Sequence, residues 1–147
     1  MHIRPASAGD FRRLAELHIL ARYDMVYLPH VHSFVSVEKW MREVVIPRQQ
    51  VWVAEIDDTV VGYASLYEGS LTNLYVHPSH QRRGIGAALL TEVKSAAPDG
   101  FRFWVFEANQ AAIRFYERHG ARTVRMTDGS KNEERLPDRL MCWGMGE

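Results

Sequence analysis

The chain has 147 residues, of which 46% are apolar, and 18 Lys plus Arg balance 18 Asp plus Glu. That length predicts one domain, residues 1–147, with room for a core, and the apolar fraction excludes a disordered chain. Zero net charge argues against nucleic acid as the main partner, although Arg82-Arg83 is a local basic pair. The lone Cys142 excludes an intrachain disulfide and favours a reducing compartment. No apolar run approaches the ~18 residues of a membrane helix. Met1-His2-Ile3-Arg4-Pro5 lacks the apolar run of a signal peptide, so the expected location is the cytoplasm, with no membrane partner.

In chain order, residues 1–5 read as a short strand stopped by Pro5. Ser7 is placed to cap a helix, with Asp10 adding negative charge to its first turn. Phe11, Leu14, Leu17, His18 and Ala21 then trace one helical face. Tyr23 to Ser36 is irregular and holds Tyr27, His30, His32 and Phe34. Ser36 is expected to cap a second helix carrying Trp40, Met41, Val44 and Val45 as far as Pro47. Val51–Ile56 and Val60–Leu66 read as a hairpin around Asp57-Asp58-Thr59. Glu68-Gly69-Ser70 turns the chain into a third strand that ends at Pro78.

Between that strand and the helix marked by Ile85, Leu89, Leu90 and Val93 lies Gln81-Arg82-Arg83-Gly84-Ile85-Gly86-Ala87. A helix start leaves its first N–H groups unpaired and partly positive, and glycines let a ligand come close to them. The pattern reads as a cradle for a phosphate or pyrophosphate. It is not a P-loop, because no Gly-x-x-x-x-Gly-Lys-Ser/Thr run exists. It is not the dinucleotide fingerprint either: Leu89 stands where a third small residue belongs, and a polar loop, His77 to Arg83, separates strand from glycines.

Further on, Ala97-Pro98-Asp99-Gly100 breaks the chain, and Phe101–Phe106 is a near-continuous apolar strand, expected at the centre of the sheet. Asn109 caps a helix that holds Ala112, Ile113, Phe115 and Tyr116 and stops at Gly120. Ala121–Met126 and Arg139–Trp143 are strands joined by a polar loop, Thr127 to Asp138. The order β-α-α-β-β-β-α-β-α-β-β belongs to a mixed α/β (α+β) fold, flanked by about four helices.

Gln81-x-x-Gly84-x-Gly86 after a strand ending Leu-x-Val-x-Pro resembles the central motif of the GNAT superfamily, the acyl-CoA-dependent N-acyltransferases. Asn109-x-x-Ala112-x-x-Phe115-Tyr116-Glu117-x-x-Gly120 is similar to that family's second motif, and Ile3-Arg4-Pro5-Ala6 with Asp10 to its usual opening. The element order agrees as well, so the resemblance covers nearly the whole chain. It implies a mostly antiparallel sheet splayed at its centre, between the strand of Leu71–Val76 and that of Phe101–Phe106.

The resemblance also implies a reaction: direct attack of a primary amine on acetyl-CoA in a ternary complex. A small-molecule amine is the expected acceptor. A protein or peptide acceptor is one alternative, and a non-catalytic acyl-CoA sensor another. The backbone around Gln81, Arg82, Arg83, Gly84, Ile85, Gly86 and Ala87 would hold the CoA pyrophosphate. Leu74, Tyr75 and Val76 would carry the pantetheine arm and orient the acyl carbonyl. Asn109 would bond the arm, unless it is only a helix cap; Ala112 belongs to the same motif. Tyr116 matches the family's tyrosine acid, and the competing reading is core packing. The family's glutamate base is not cleanly present: Ser70 occupies its place. Glu68, His77, Tyr75 and His30 or His32 are candidates, with Glu68 first, although a solvated turn would also suit it. Tyr27, His30, Glu133 and Glu134 are expected at the acceptor, the acids by attracting a cationic amine or else merely solubilising their loop. No metal is implied, because His30-x-His32 lacks a third ligand nearby. Dimers are common in the family, but nothing in the sequence locates an interface.

Overall fold

The computed structural model describes residues 1–25, 27–29 and 32–145. The elements are β1 (His2–Pro5), α1 (Phe11–Tyr23), α2 (Phe34–Trp40), α3 (Ile46–Arg48), β2 (Gln50–Ile56), β3 (Thr59–Tyr67) and β4 (Ser70–Val76), then α4 (Ile85–Ala96), β5 (Gly100–Phe106), α5 (Gln110–Arg118), β6 (Arg122–Thr127) and β7 (Asp138–Gly144). Among the described residues the strands form one seven-stranded sheet in the order β1-β2-β3-β4-β5-β7-β6. All neighbours are antiparallel except β4 and β5. The mixed, mostly antiparallel sheet is the one expected.

The β4–β5 junction positions the site. These strands pair at Ser70↔Arg102 and no further. The cause lies a little further along β4. Ser65 faces Asn73 and Leu66 faces Leu71, so Thr72 is an extra residue in β4. Such a bulge bends a strand and increases its twist. Beyond it β4 stays with β3 through Tyr63↔Tyr75 and Gly62↔Val76, while β5 stays with β7 from Gly100 to Phe106. The two halves therefore open as a V.

Each sheet face has its own core. Leu14, Leu17, Met41, Val45, Val51, Val53, Val60 and Tyr63 pack where α1 and the second helical segment cover β2 and β3. Ile85, Leu89, Leu90 and Val93 of α4, with Ile113 of α5, pack with Phe101, Phe103 and Met141. Burying a leucine or phenylalanine contributes about 1.5–3 kcal/mol. β3 is buried from Val60 to Leu66 on both faces.

Two local expectations change and one holds. The second helix is capped by Ser33, whose side chain accepts from the Ser36 N–H at 3.1 Å, so Ser36 lies in the first turn. Pro47 does not stop that helix. Met41–Val45 widens into a π-turn, with the Ile46 N–H bonding Met41, and the chain stays helical to Arg48. Such a bulge takes up the carbonyl mismatch that proline causes. β5 is central in strand order, as expected, and buries one face: Phe101, Phe103 and Val105 are buried, while Arg102 and Trp104 are exposed. Its outer face is left open by the V.

Candidate active site

The expected cradle residues sit at the start of α4. Gly84 caps α4 in the left-handed region, φ 81°, and no side chain caps the helix. Ala88 is the first N–H to bond back, to the Gly84 carbonyl at 3.0 Å. The N–H groups of Ile85, Gly86 and Ala87 thus have no intrahelical acceptor. A Cβ on Gly84 would meet no atom within 4 Å, so this backbone is open to an approaching ligand. Gly86 is tighter, because its Cβ would stand 3.4 Å from Phe115 Cζ. Its smallness lets α4 lie against α5. Arg82 and Arg83 are exposed, and Arg82 itself adopts φ 66°. The Gln81 side chain acts on the loop itself. Its Nε2 donates to the Val76 carbonyl at 3.1 Å and ties the loop to the end of β4.

The cradle lies where the chain leaves β4. Leu74, Tyr75 and Val76 carry no ladder on the edge facing β5. Across the gap Asn109 caps α5, accepting from the Ala112 N–H at 3.2 Å. The capping reading therefore holds for its Oδ1. Tyr116, one helical turn beyond Ala112, packs its ring 4.3 Å from that of Phe103 and 5.2 Å from that of Phe115. Burial first, and the nearby Tyr75 second, push the Tyr116 hydroxyl well above the usual phenol range. It stays protonated.

On the opposite side of the V a cleft of about 1250 Å³ opens between α1, α2, β4, β5 and the loop before β7. Its walls include His18, Arg22, Tyr75, Trp104, Arg125 and Glu134. The Tyr75 ring stands edge-on to His18 at 5.0 Å and tilted to Tyr63 at 5.9 Å. His18 Nδ1 and the Tyr63 hydroxyl are 2.9 Å apart. Burial, with Arg22 and His32 adding, lowers His18 to about 3, so the imidazole is neutral. The Arg22 guanidinium lies against the Tyr75 hydroxyl and bonds Glu134 at 2.9 Å.

Several expected residues reach this region and others do not. Tyr75, His32, Glu133 and Glu134 line the cleft. The two acids already have partners: Glu133 faces His32 at 2.9 Å and Glu134 is bridged to Arg22, so neither presents a bare charge to an amine. Tyr27 sets its ring edge-on to Phe106 at 6.1 Å, with its hydroxyl buried and unpartnered among the described residues. His30 lies outside the described residues. Glu68 does not join the group. It is an exposed turn residue at φ 48°, beside Gly69 at φ 77°, where a tight hairpin needs left-handed backbone. The strand then runs about 20 Å before reaching Val76. His77 is pinned differently, its Nδ1 accepting from the Ser79 N–H at 3.1 Å. Its imidazole is lowered by burial, Arg13 and His80.

Comparison with known proteins agrees with this geometry. Residues 47–120 match the family described as the acetyltransferase (GNAT) domain. The chain belongs to the GNAT acetyltransferases. Among GNAT relatives, the peptidyl-lysine N-acetyltransferase YiaC of Escherichia coli (strain K12) is 33% identical over 119 residues, covering 76% of this chain and 80% of YiaC. The uncharacterized N-acetyltransferase YafP of the same strain is 29% identical over 129 residues, covering 85% of this chain and 83% of YafP. Among solved structures, YncA of Salmonella typhimurium, a putative acetyltransferase determined with acetyl-CoA, shares the fold. It superposes with a TM-score of 0.77 at 22% identity over 100% of this chain and 95% of that one.

The GNAT motifs were legible, but the cleft walls were not. Arg22, Asn73, Trp104 and Arg125 carry no local signature. Arg22 and Glu134 are 112 residues apart in sequence, and His18 and Tyr63 are 45 apart.

Proposed function

We propose that this chain moves an acetyl group from acetyl-CoA to a primary amine, both bound at once. One observation carries the reading. The unpaired N–H groups of Ile85, Gly86 and Ala87 lie beside a strand gap, and a cleft with several charged side chains in its walls opens on the other side. An anion-binding cradle, a slot and an acceptor chamber in series suit an extended phosphate-bearing donor and a separate nucleophile. Holding both can supply about 7–11 kcal/mol of the barrier through effective molarity.

In this reading the N–H groups of Ile85, Gly86 and Ala87 hold the pyrophosphate, with Arg82 and Arg83 adding charge. The free edge of Leu74, Tyr75 and Val76 pairs with the pantetheine amides, and Asn109 Nδ2 assists. A backbone N–H near Val76 polarises the thioester carbonyl, a donor typically worth about 3–4 kcal/mol. An amine of pKa ~10.4 must lose a proton before it attacks. Glu68 stands at the far end of β4, so that proton leaves through water in the open cleft. Tyr116 then gives its proton to the departing sulfur as the amide forms.

The acceptor is a small amine in the simplest version. A second version, a lysine within a polypeptide, is favoured by the relative named a peptidyl-lysine N-acetyltransferase and by a cleft open enough for more than a small ligand. The test is thiol release from acetyl-CoA over polyamines, aminoglycosides, amino acids and lysine peptides. Release with one class supports transfer and names the acceptor. Tight CoA binding with no release from any class favours a sensor.

A further inference from the structure

The outer face of β5, β7 and β6 carries a feature that acetyl transfer alone does not require. In the sheet register Arg102 faces Cys142, which faces Arg122. On the next rung with the same orientation Trp104 faces Leu140, which faces Arg125. Directly paired residues project to one side of a sheet. Three arginines and a tryptophan therefore share one face over two rungs. All four are exposed, Trp104 by 50%. The Arg125 guanidinium lies 5.5 Å from the Trp104 ring centre, and both line the acceptor cleft. Arg102 and Arg122 lie one rung further out, beyond the cleft wall.

Among the described residues no acid pairs with them. Asp138, on the third rung, is buried and its carboxylate is taken by Thr127 and by Asn132 at 3.2 Å. Across the cleft Glu134 is bridged to Arg22, Glu133 faces His32, and Asp128 accepts from the Ser130 N–H at 2.9 Å. Lys131 adds another cation to the same wall. Among the described residues, Arg102 and Arg125 make no ion pair, and Arg122 bonds only the Gly144 carbonyl, at 3.1 Å. Glu68, near Arg102 through the Arg102 N–H to Gly69 carbonyl bond, makes no pair with it either. A chain of zero net charge has thus collected cations on one face that runs into the acceptor chamber.

We propose that this face docks an acidic polypeptide segment whose lysine or N-terminal amine enters the cleft. The inference rests on the acetyl-transfer reading and deepens it. Two rungs are about 7 Å apart along a strand. An acceptor that meets Arg125 in the cleft and Arg102 and Arg122 outside it is longer than a simple amine. Trp104 offers its apolar surface to the peptide between the charges. A second copy of this chain does not suit the face, because two-fold pairing would set arginine against arginine.

The test uses acetyl-CoA and three peptides of equal length, each with one lysine, flanked by acidic, neutral or basic residues. At low salt the acidic peptide should exceed the neutral one in kcat/KM by about tenfold, with the gap shrinking as salt rises. In the R102Q/R122Q double variant the acidic-to-neutral ratio should fall about threefold or more. The ratio is taken within each protein, so a general loss of activity cancels. An unmoved ratio, or a preference for the neutral or basic peptide, overturns the proposal. If nothing is acetylated, fluorescence anisotropy of the labelled peptides decides. Tighter binding of the acidic peptide that weakens in the variant keeps the docking face while the transfer reading fails. An oligonucleotide that competes better than the acidic peptide, or a dimer dissolved by the substitutions, overturns the polypeptide assignment.

Discussion

Arg22 Nη2 lies 2.9 Å from Glu134 Oε2, and this bridge joins the end of α1 to the loop before β7 across the mouth of the cleft. Both side chains are largely shielded, with relative exposures of 21% and 14%. Removing one partner leaves a poorly solvated charge, so Glu134→Gln should cost about 1–3 kcal/mol in urea unfolding. The double variant Arg22→Met/Glu134→Leu should cost less than the sum of the two singles. Strict additivity in that cycle would mean the bridge contributes nothing.

Tyr116 supplies a cleaner probe of chemistry. Its ring is held by Phe103 and Phe115, and phenylalanine would keep both contacts. Tyr116→Phe should therefore lower turnover by about a hundredfold with little change in acetyl-CoA affinity. Because burial raises this hydroxyl, the alkaline limb of a pH–rate profile should not come from it. Turnover equal to that of the unaltered protein would reduce Tyr116 to packing.

What the sequence made readable follows from distance along the chain. The cradle is encoded within Gln81–Ala87, and glycine spacing plus the apolar period of α4 reveals it. The α5 cap at Asn109 and the Asp57-Asp58 turn are equally local; both turn residues take positive φ. The V between β4 and β5 is different. It arises from a one-residue bulge at Thr72, which leaves no trace in hydrophobic period. The run Phe101–Phe106 reads as a near-continuous apolar strand, and nothing local in it shows that its outer face is open and carries Trp104. Glu133 and Glu134 look free in sequence because their partners, His32 and Arg22, lie about a hundred residues away. Glu68 stands out as a base only by its neighbourhood in sequence. A strand moves away at about 3.3 Å per residue, so a few positions suffice to leave the site.

Gly84 separates binding from folding. Its left-handed backbone makes any other residue strained, at roughly 1 kcal/mol for alanine, but no protein atom stands in the way of a Cβ. Gly84→Ala should thus shift the melting temperature modestly while lowering CoA affinity more than about tenfold, since the new methyl stands on the open face of the cradle. Calorimetric titration with CoA beside a thermal melt reads both. Unchanged affinity in a folded variant would move the pyrophosphate elsewhere.

His18 makes stability depend on pH. Its folded value is about 3 against 6.5 unfolded, lowered chiefly by burial. Between these values the unfolded chain takes up a proton that the native state refuses, so stability is full above the unfolded value and falls as pH drops. From pH 6.5 to pH 5 the loss should approach about 2 kcal/mol. His18→Gln offers a neutral side chain to the Tyr63 hydroxyl and should unfold with a flatter pH dependence over that window. Identical slopes for the two proteins, measured by urea titration, would show that His18 takes up its proton without unfolding.

Tyr27 tests whether an unpaired group is kept for a ligand. Its buried hydroxyl has no partner among the described residues, and desolvation raises it to about 12. A buried polar group left unsatisfied destabilises the fold, so Tyr27→Phe should leave stability unchanged or raise it by up to about 1 kcal/mol. Its ring borders Phe106 at the open end of β5, where donor and acceptor would meet. If the hydroxyl serves one of them, kcat/KM should fall by about two- to tenfold, the equivalent of one hydrogen bond. A variant that is at least as stable but slower assigns the hydroxyl to the bound state, because packing damage would move both quantities down. A variant as active as the unaltered protein removes Tyr27 from the site.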